Sequence, residues 1–297
     1  MSLSAFLTLA LFMQGASPSV PPAAKPATPL GIVADAPAAA WLDIAADDLL
    51  IMDLTGGRRV VIALSPDFAK PHVANMRALA RAHWWDGTSI NRVQDNYVAQ
   101  WGDATEAKPL PTGIVAPARD YDRDLAGLKW RSLPYRDSYA TAVGHVGGWP
   151  VARVAGRAWL PHCYGMVGVG RNLAPDTGTG AELYAVIGES PRHLDRNIAV
   201  VGRVLAGMEA LAALPRGTGD LGFYTDPAQR TGIVRVRLAS ALPANERPAW
   251  QVMASDGPSF SAWIKVKANR HDDFFERPAG GLDICNALPP TRIRPAG

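Results

Sequence analysis

Cysteine is scarce in this chain of 297 residues: Cys163 and Cys285 are all there is, and they form no Cys-x-x-Cys pair. Its six histidines are scattered, with no His-x-x-x-His spacing, so the sequence offers no zinc-ligand set. Spacing leaves two readings of the thiols open, a bridge in an oxidising compartment or two small buried apolar groups. Blocks of lysine or arginine are missing too. The 30 basic and 27 acidic residues are interspersed, for a net charge of +3, which speaks against nucleic acid as a partner. Past Met13 no run is long and apolar enough to span a bilayer. Gly-x-Ser-x-Gly is absent, and no Gly-Lys-Ser/Thr follows the glycines at 165–170 or 178–180, which removes the nucleophile elbow and the phosphate loop. Ser190, His193 and Asp195 lie close together, but in a polar loop ahead of a strand.

What is there suits a globular chain, with 48% hydrophobic and 19% charged residues, ample for a core. Leu3 to Met13 is apolar, too short to cross a membrane and of the length of a secretory h-region, although Met1-Ser2 brings no basic residue. The expected organisation is a signal peptide over 1–16, an extended Pro/Ala-rich linker over 17–40 and a folded domain over 41–240. A polar, Pro- and Gly-rich insertion spans about 104–160, and a C-terminal extension over 241–297 carries Trp250, Trp263, Phe274 and Phe275 for docking on the domain.

Leu49 to Leu54 and Arg59 to Leu64 read as a hairpin across Thr55-Gly56-Gly57-Arg58. A helix follows, with Pro71 in its first turn and Val73, Met76, Leu79 and Ala80 on one face. Further strands are expected at Ile90 to Val93, Met166 to Val169, Leu183 to Ile187, Ile198 to Val201 and Ile233 to Leu238, with a second helix over Ala206 to Leu214. Many short strands with glycine-rich turns suit a closed barrel, which leaves no sheet edge exposed, although composition alone does not choose it over a sandwich.

The run Ser89-Ile90-Asn91-Arg92-Val93, followed by Tyr97-Val98-Ala99-Gln100-Trp101-Gly102-Asp103, places an arginine, an aromatic and a glutamine at near-strand spacing. Before it come Pro71 to Leu79 and Trp85-Asp86-Gly87-Thr88. After it come Gly165 to Arg171, Ala181 to Gly188, His193 to Asn197 and Val201 to Val204. In this order, across roughly residues 48 to 238, these blocks resemble the cyclophilin family of peptidyl-prolyl isomerases, as a divergent, bacterial-like and exported member. The resemblance implies a mainly β fold, a closed eight-stranded antiparallel barrel capped by two helices. It also implies an enzyme that assists protein folding on proline-containing polypeptides and needs no cofactor or metal; the apolar run Leu3 to Met13 makes export, to the periplasm, the expected localisation, and oligomeric state stays open.

Carried over position by position, the resemblance makes Arg92 the catalytic arginine and Gln100 the glutamine that hydrogen-bonds the substrate backbone. Tyr97, Val98, Tyr184 and Leu194 fall on proline-pocket positions, and Gly170 and Arg171 on the groove for the residues before the proline. Three positions depart from the family pattern: Glu182 replaces a glutamine, His193 a tryptophan and Ile198 a histidine. The tryptophan position supports cyclosporin, so His193 puts sensitivity to that drug in doubt. Glu182 is expected either to pair with Arg92 and hold it or to draw it away. The competing expectation is a barrel that binds proline-containing peptides with weak or no catalysis, and Cys163 joined to Cys285 would staple the extension.

Overall fold

Leu49–Leu54 and Arg59–Leu64 pair antiparallel, with Leu50 opposite Ile62 and Met52 opposite Val60. Gly56 and Gly57 in the turn have φ of 79° and 74°, backbone that a tight hairpin needs and that residues with a Cβ resist. These are strands β1 and β2 of a computed structural model that describes residues 27–119 and 121–295. The signal peptide read at 1–16 and the first part of the linker read at 17–40 lie outside the described residues.

Six more strands follow: β3 (Ser89–Val93), β4 (Val98–Gly102), β5 (Met166–Val169), β6 (Leu183–Val186), β7 (Val200–Ala206) and β8 (Thr231–Leu238). Together they close a barrel in the order β5-β6-β4-β3-β8-β1-β2-β7, and every pairing is antiparallel. Alternate residues point inward, so Leu50, Met52, Val60, Ile62, Ala99, Trp101, Val167 and Val201 fill one continuous core. The helix Lys70–Arg81 adds Val73, Met76, Leu79 and Ala80 to it, and the helix Met208–Ala212 adds Ala210 and Leu211. The mainly β, eight-stranded capped barrel expected from sequence is the fold observed.

Strand β7 corrects the sequence reading at both ends. It starts at Val200, leaving Ile198 in the preceding loop, and continues through Val204 and Ala206, which pair with Ile62 and Val61 across a bulge. The helix read from Ala206 therefore begins only at Met208. Gly207 makes the corner with φ of 87°, where a Cβ would stand 2.3 Å from the Arg59 carbonyl oxygen.

The insertion folds into a sheet of its own, in the order Arg123–Asp124, Arg157–Trp159, Trp149–Val154, Ala142–Val146, Arg131–Leu133. A third sheet joins Trp41–Asp43 and Thr291–Ile293 to either side of Trp250–Met253. Pro29–Asp35, inside the stretch read as extended linker, is an α-helix: the Thr28 hydroxyl accepts the Gly31 N–H at 3.0 Å and proline opens the first turn. That helix, the insertion sheet and the helix Pro258–Ala268 share a second core built from Trp41, Leu133, Trp159, Phe260, Trp263 and Ile284. The extension thus packs on the insertion as well as on the barrel, where Leu242 and Trp250 cover Leu49, Ile51 and Val61 on the outer face of β1 and β2. A disulfide joins Cys163, just ahead of β5, to Cys285 in the extension. Among the described residues no helix is long and apolar enough to cross a membrane.

Candidate active site

Strand register lines up the site. Arg92 on β3 lies opposite Gln100 on β4, Gln100 opposite Tyr184 on β6, and Tyr184 opposite Gly168 on β5. Their neighbours Val93, Ala99, Leu183, Ala185, Val167 and Val169 point into the core, so this row faces out of the barrel. Gly168 has to be bare: a Cβ there would meet the Tyr184 hydroxyl oxygen and Cζ at 2.3 Å. Arg92, Gln100 and Tyr184 of this row line a groove of about 990 Å³ whose walls also include Leu194, Ile198, Trp84 and Leu110.

Arg92 is held on several sides. Its Nε donates to the Leu221 carbonyl at 2.7 Å, one Nη to Gln100 Oε1 at 3.1 Å and the other to the Gln94 side chain. The guanidinium also stands over the rings of Tyr97 and Phe223, 5.7 and 5.4 Å from their centroids. Leu221 and Phe223 are brought there by a bridge between Phe223 and Arg92 and by the Tyr224 N–H bonding to the Asn91 carbonyl. Partial burial lowers the Arg92 pKa from its ordinary value, partly offset by Tyr97, and an arginine so placed stays charged at neutral pH. The sequence reading missed Gln94, Leu221 and Phe223. Leu221 acts through its backbone, and its φ of 54° is not marked by glycine, so residue types carried no signal for it.

Beside the guanidinium, Val98, Tyr184 and Val186 make an apolar cluster with Tyr97, Leu194 and Ile198 packed on it. His193 forms an exposed wall, stacked on Tyr97 at 5.8 Å between centroids with its Nε2 3.4 Å from the tyrosine oxygen. Tyr184 is buried, and its hydroxyl bonds His162 Nε2 at 2.9 Å behind the groove. Hence all six sequence-predicted pocket residues meet in one place, Ile198 from a loop rather than a strand.

Glu182 does not pair with Arg92. Its carboxyl takes hydrogen bonds from the side chains of Gln100 and Asn91 and from the Asp103 N–H, and burial outweighs these and pushes its pKa up to about 7. It lies so close over Gly102 that a Cβ there would be 1.8 Å from Glu182 Oε1. Gly170 is constrained in the same way, with Glu182 Cβ 2.8 Å from where its own Cβ would stand. Arg171 turns its guanidinium along the rim, donating to the Asn197 carbonyl at 3.2 and 3.0 Å and to the Asn172 carbonyl at 2.6 Å. At the far end Lys108 Nζ sits 5.4 Å from the Trp84 ring centroid and donates to the Asp86 carbonyl.

His193 and Asp195, close in sequence, do not pair as a hydrolytic site would require. Both Asp195 oxygens are taken by His162 and Arg192, and His193 faces Tyr97; the side chain of Ser190 lies outside the described residues. No group of three His, Cys, Asp or Glu side chains among the described residues is placed to hold a metal ion.

Comparisons with known proteins bear on the same segment. Residues 49–238 match the family described as cyclophilin type peptidyl-prolyl cis-trans isomerase/CLD. A probable peptidyl-prolyl cis-trans isomerase of Brucella suis biovar 1 is 26% identical over 173 residues, which is 58% of this chain and 74% of that protein. One from Brucella abortus strain 2308 is 25% identical over the same extent. The fold resembles the crystal structure of cyclophilin AquaCyp293 from Hirschia baltica with a TM-score of 0.68, at 24% identity over 90% of this chain and 98% of that one. The barrel with its outward row and the sequence match over 49–238 carry the same conclusion: the chain belongs to the cyclophilin-type peptidyl-prolyl cis-trans isomerases.

Proposed function

We propose that the groove binds an extended, proline-containing segment of another polypeptide and that Arg92 speeds rotation about its prolyl imide. The observation that carries this reading is a guanidinium held by Leu221, Gln94 and Gln100 at the lip of an apolar pocket. Rotation passes through a twisted state in which conjugation is lost and a lone pair localises on the proline nitrogen; uncatalysed, it takes roughly tens to hundreds of seconds. A donor fixed beforehand stabilises that state more than either planar isomer, because nothing needs to reorganise at the moment of twisting. Three of the five N–H groups of Arg92 are engaged as described, which leaves one on each Nη for a substrate.

In this reading Tyr97, Val98, Tyr184, His193, Leu194 and Ile198 hold the proline ring. Gln100 bonds the substrate backbone, and Gly170, Arg171 and Glu182 border the residues before the proline. The clients are flexible segments of folding proteins outside the cytosol, in the periplasm. The disulfide and the apolar run Leu3 to Met13 support that setting.

The test is exchange NMR on a short Ala-Pro peptide. The parent chain is expected to accelerate cis/trans exchange, and Arg92→Ala to lose most of the acceleration while keeping its fold. Unchanged acceleration in that variant would exclude the arginine mechanism. A second reading, peptide binding with little catalysis, is favoured by the carboxyl of Glu182, which occupies the Gln100 amide. Peptide bound without acceleration identifies it.

A further inference from the structure

Behind the pocket a buried polar chain runs from Tyr184 to the insertion. The Tyr184 hydroxyl meets His162 Nε2 at 2.9 Å, and His162 Nδ1 lies 3.0 Å from Asp195 Oδ1, which also accepts the His162 backbone N–H at 2.9 Å. The second Asp195 oxygen accepts from Arg192 Nε at 2.8 Å, and the two Arg192 Nη groups grip the Asp137 carboxylate at 2.9 and 3.0 Å. His162 is 1% exposed, and Arg192, Asp195 and Tyr184 are buried as well.

The direction of each bond follows from charge. Burial raises the Asp195 pKa, but hydrogen bonding and attraction from His162 and Arg192 outweigh it and hold the carboxylate below its ordinary value. Burial lowers His162 despite Asp195, so the ring is neutral. An ionised Asp195 accepts only, which assigns the imidazole proton to Nδ1 and leaves Nε2 as an acceptor. Tyr184 O–H therefore donates to Nε2. Without that acceptor the phenol, which lies across bare Gly168, has no buried partner and is drawn towards the groove.

We propose that His162 is a positioning residue for the proline pocket: it fixes the ring of Tyr184, and Asp195, Arg192 and Asp137 fix His162. The inference rests on the reading of the groove as a proline site. By this chain of bonds the insertion shapes a pocket that Asp137 does not line.

The test is a double-mutant cycle of His162→Leu and Tyr184→Phe, read as KM and kcat for an Ala-Pro peptide by exchange NMR. In the Tyr184 chain, His162→Leu is expected to raise KM about tenfold with kcat little changed, since ring placement acts on binding and leaves Arg92 alone. In the Tyr184→Phe chain, which has no hydroxyl to satisfy, the same replacement is expected to raise KM less than about twofold. Loss of thermal stability through Asp195 is common to both backgrounds and cancels. Should His162→Leu fail to fold, Asp137→Asn takes its place, with an expected rise in KM of about threefold that Tyr184→Phe again suppresses. Equal effects in the two backgrounds would mean a structural role only and overturn the inference. A parent chain that binds no Ala-Pro peptide would overturn the reading of the groove and this inference with it.

Discussion

In the barrel, β1 and β2 are joined by the four residues Thr55 to Arg58 and β3 and β4 by the four residues Gln94 to Tyr97. The sheet beside it instead gathers Trp41–Asp43, Trp250–Met253 and Thr291–Ile293 from both sides of the barrel sequence. The first arrangement builds its core from pairs that meet early and cheaply in loop-closure entropy. In the second, Trp41, Trp159 and Phe260 come from three remote segments, and the buried face of each is complete only when the others arrive. The difference separates two kinds of work. The barrel carries the proposed chemistry on its outer face, and the added layer holds Asp137 and the half-cystine Cys285 that reach back to it.

Breaking the layer alone is expected to give the largest energetic effect. Phe260 is fully buried, 4.8 Å from His145 and 5.6 Å from Trp263 between ring centroids. Phe260→Ala is expected to cost about 3–5 kcal/mol in chemical denaturation while the folded fraction keeps its isomerase activity. Replacing Cys163 and Cys285 together by serine removes a cross-link spanning 122 residues and is expected to cost about 3 kcal/mol in the same assay. Breaking the barrel's chemistry alone is the converse. Arg92→Ala is expected to lower kcat/KM about a hundredfold, or about 2.7 kcal/mol in the barrier, with the melting temperature within a few degrees of the parent.

An effect of comparable size is a pH dependence that belongs to the barrel. Glu182 has an ordinary value of 4.5 when unfolded and about 7 when folded, so between those values the folded chain binds more protons. Its contribution to stability is then fully present below about pH 4.5 and is lost as pH rises through 7. Glu182→Gln is expected to remove that loss, so that its gain over the parent grows from near zero at pH 4.5 to about 3 kcal/mol at pH 8. A gain that stays flat over this range would show that Glu182 does not titrate there.

The comparison also explains what could be read from sequence. Strands β1, β2 and β5 were legible to the residue, because apolar runs between glycine turns specify them locally. The end of β7 was not, since Val204 to Ala206 are kept in the strand by pairing with Val61 and Ile62, a tertiary contact. Arg92, Gln100 and Tyr184 were legible as a set through the resemblance, and the barrel register explains why they meet. The anchors of Arg92 were hidden because one is a carbonyl at Leu221, 129 residues away. His162 was hidden for another reason. A tyrosine in an apolar strand signals that its hydroxyl needs a partner, yet nothing in the residue order says which polar group lies behind the strand. The layer's sheets were unread because their patterns are short and their partners remote.

The three-stranded sheet has a consequence for the timing of synthesis. As the chain emerges from its N-terminal side, Trp41–Asp43 is available before any barrel strand, but its neighbour Trp250–Met253 follows the last of them. The barrel strands are complete at Leu238, whereas the sheet waits for Thr291–Ile293. A nascent chain therefore carries the Trp41–Asp43 strand without its sheet neighbours until every barrel strand has been made. The three-stranded sheet can therefore close over a finished barrel but cannot seed one during synthesis.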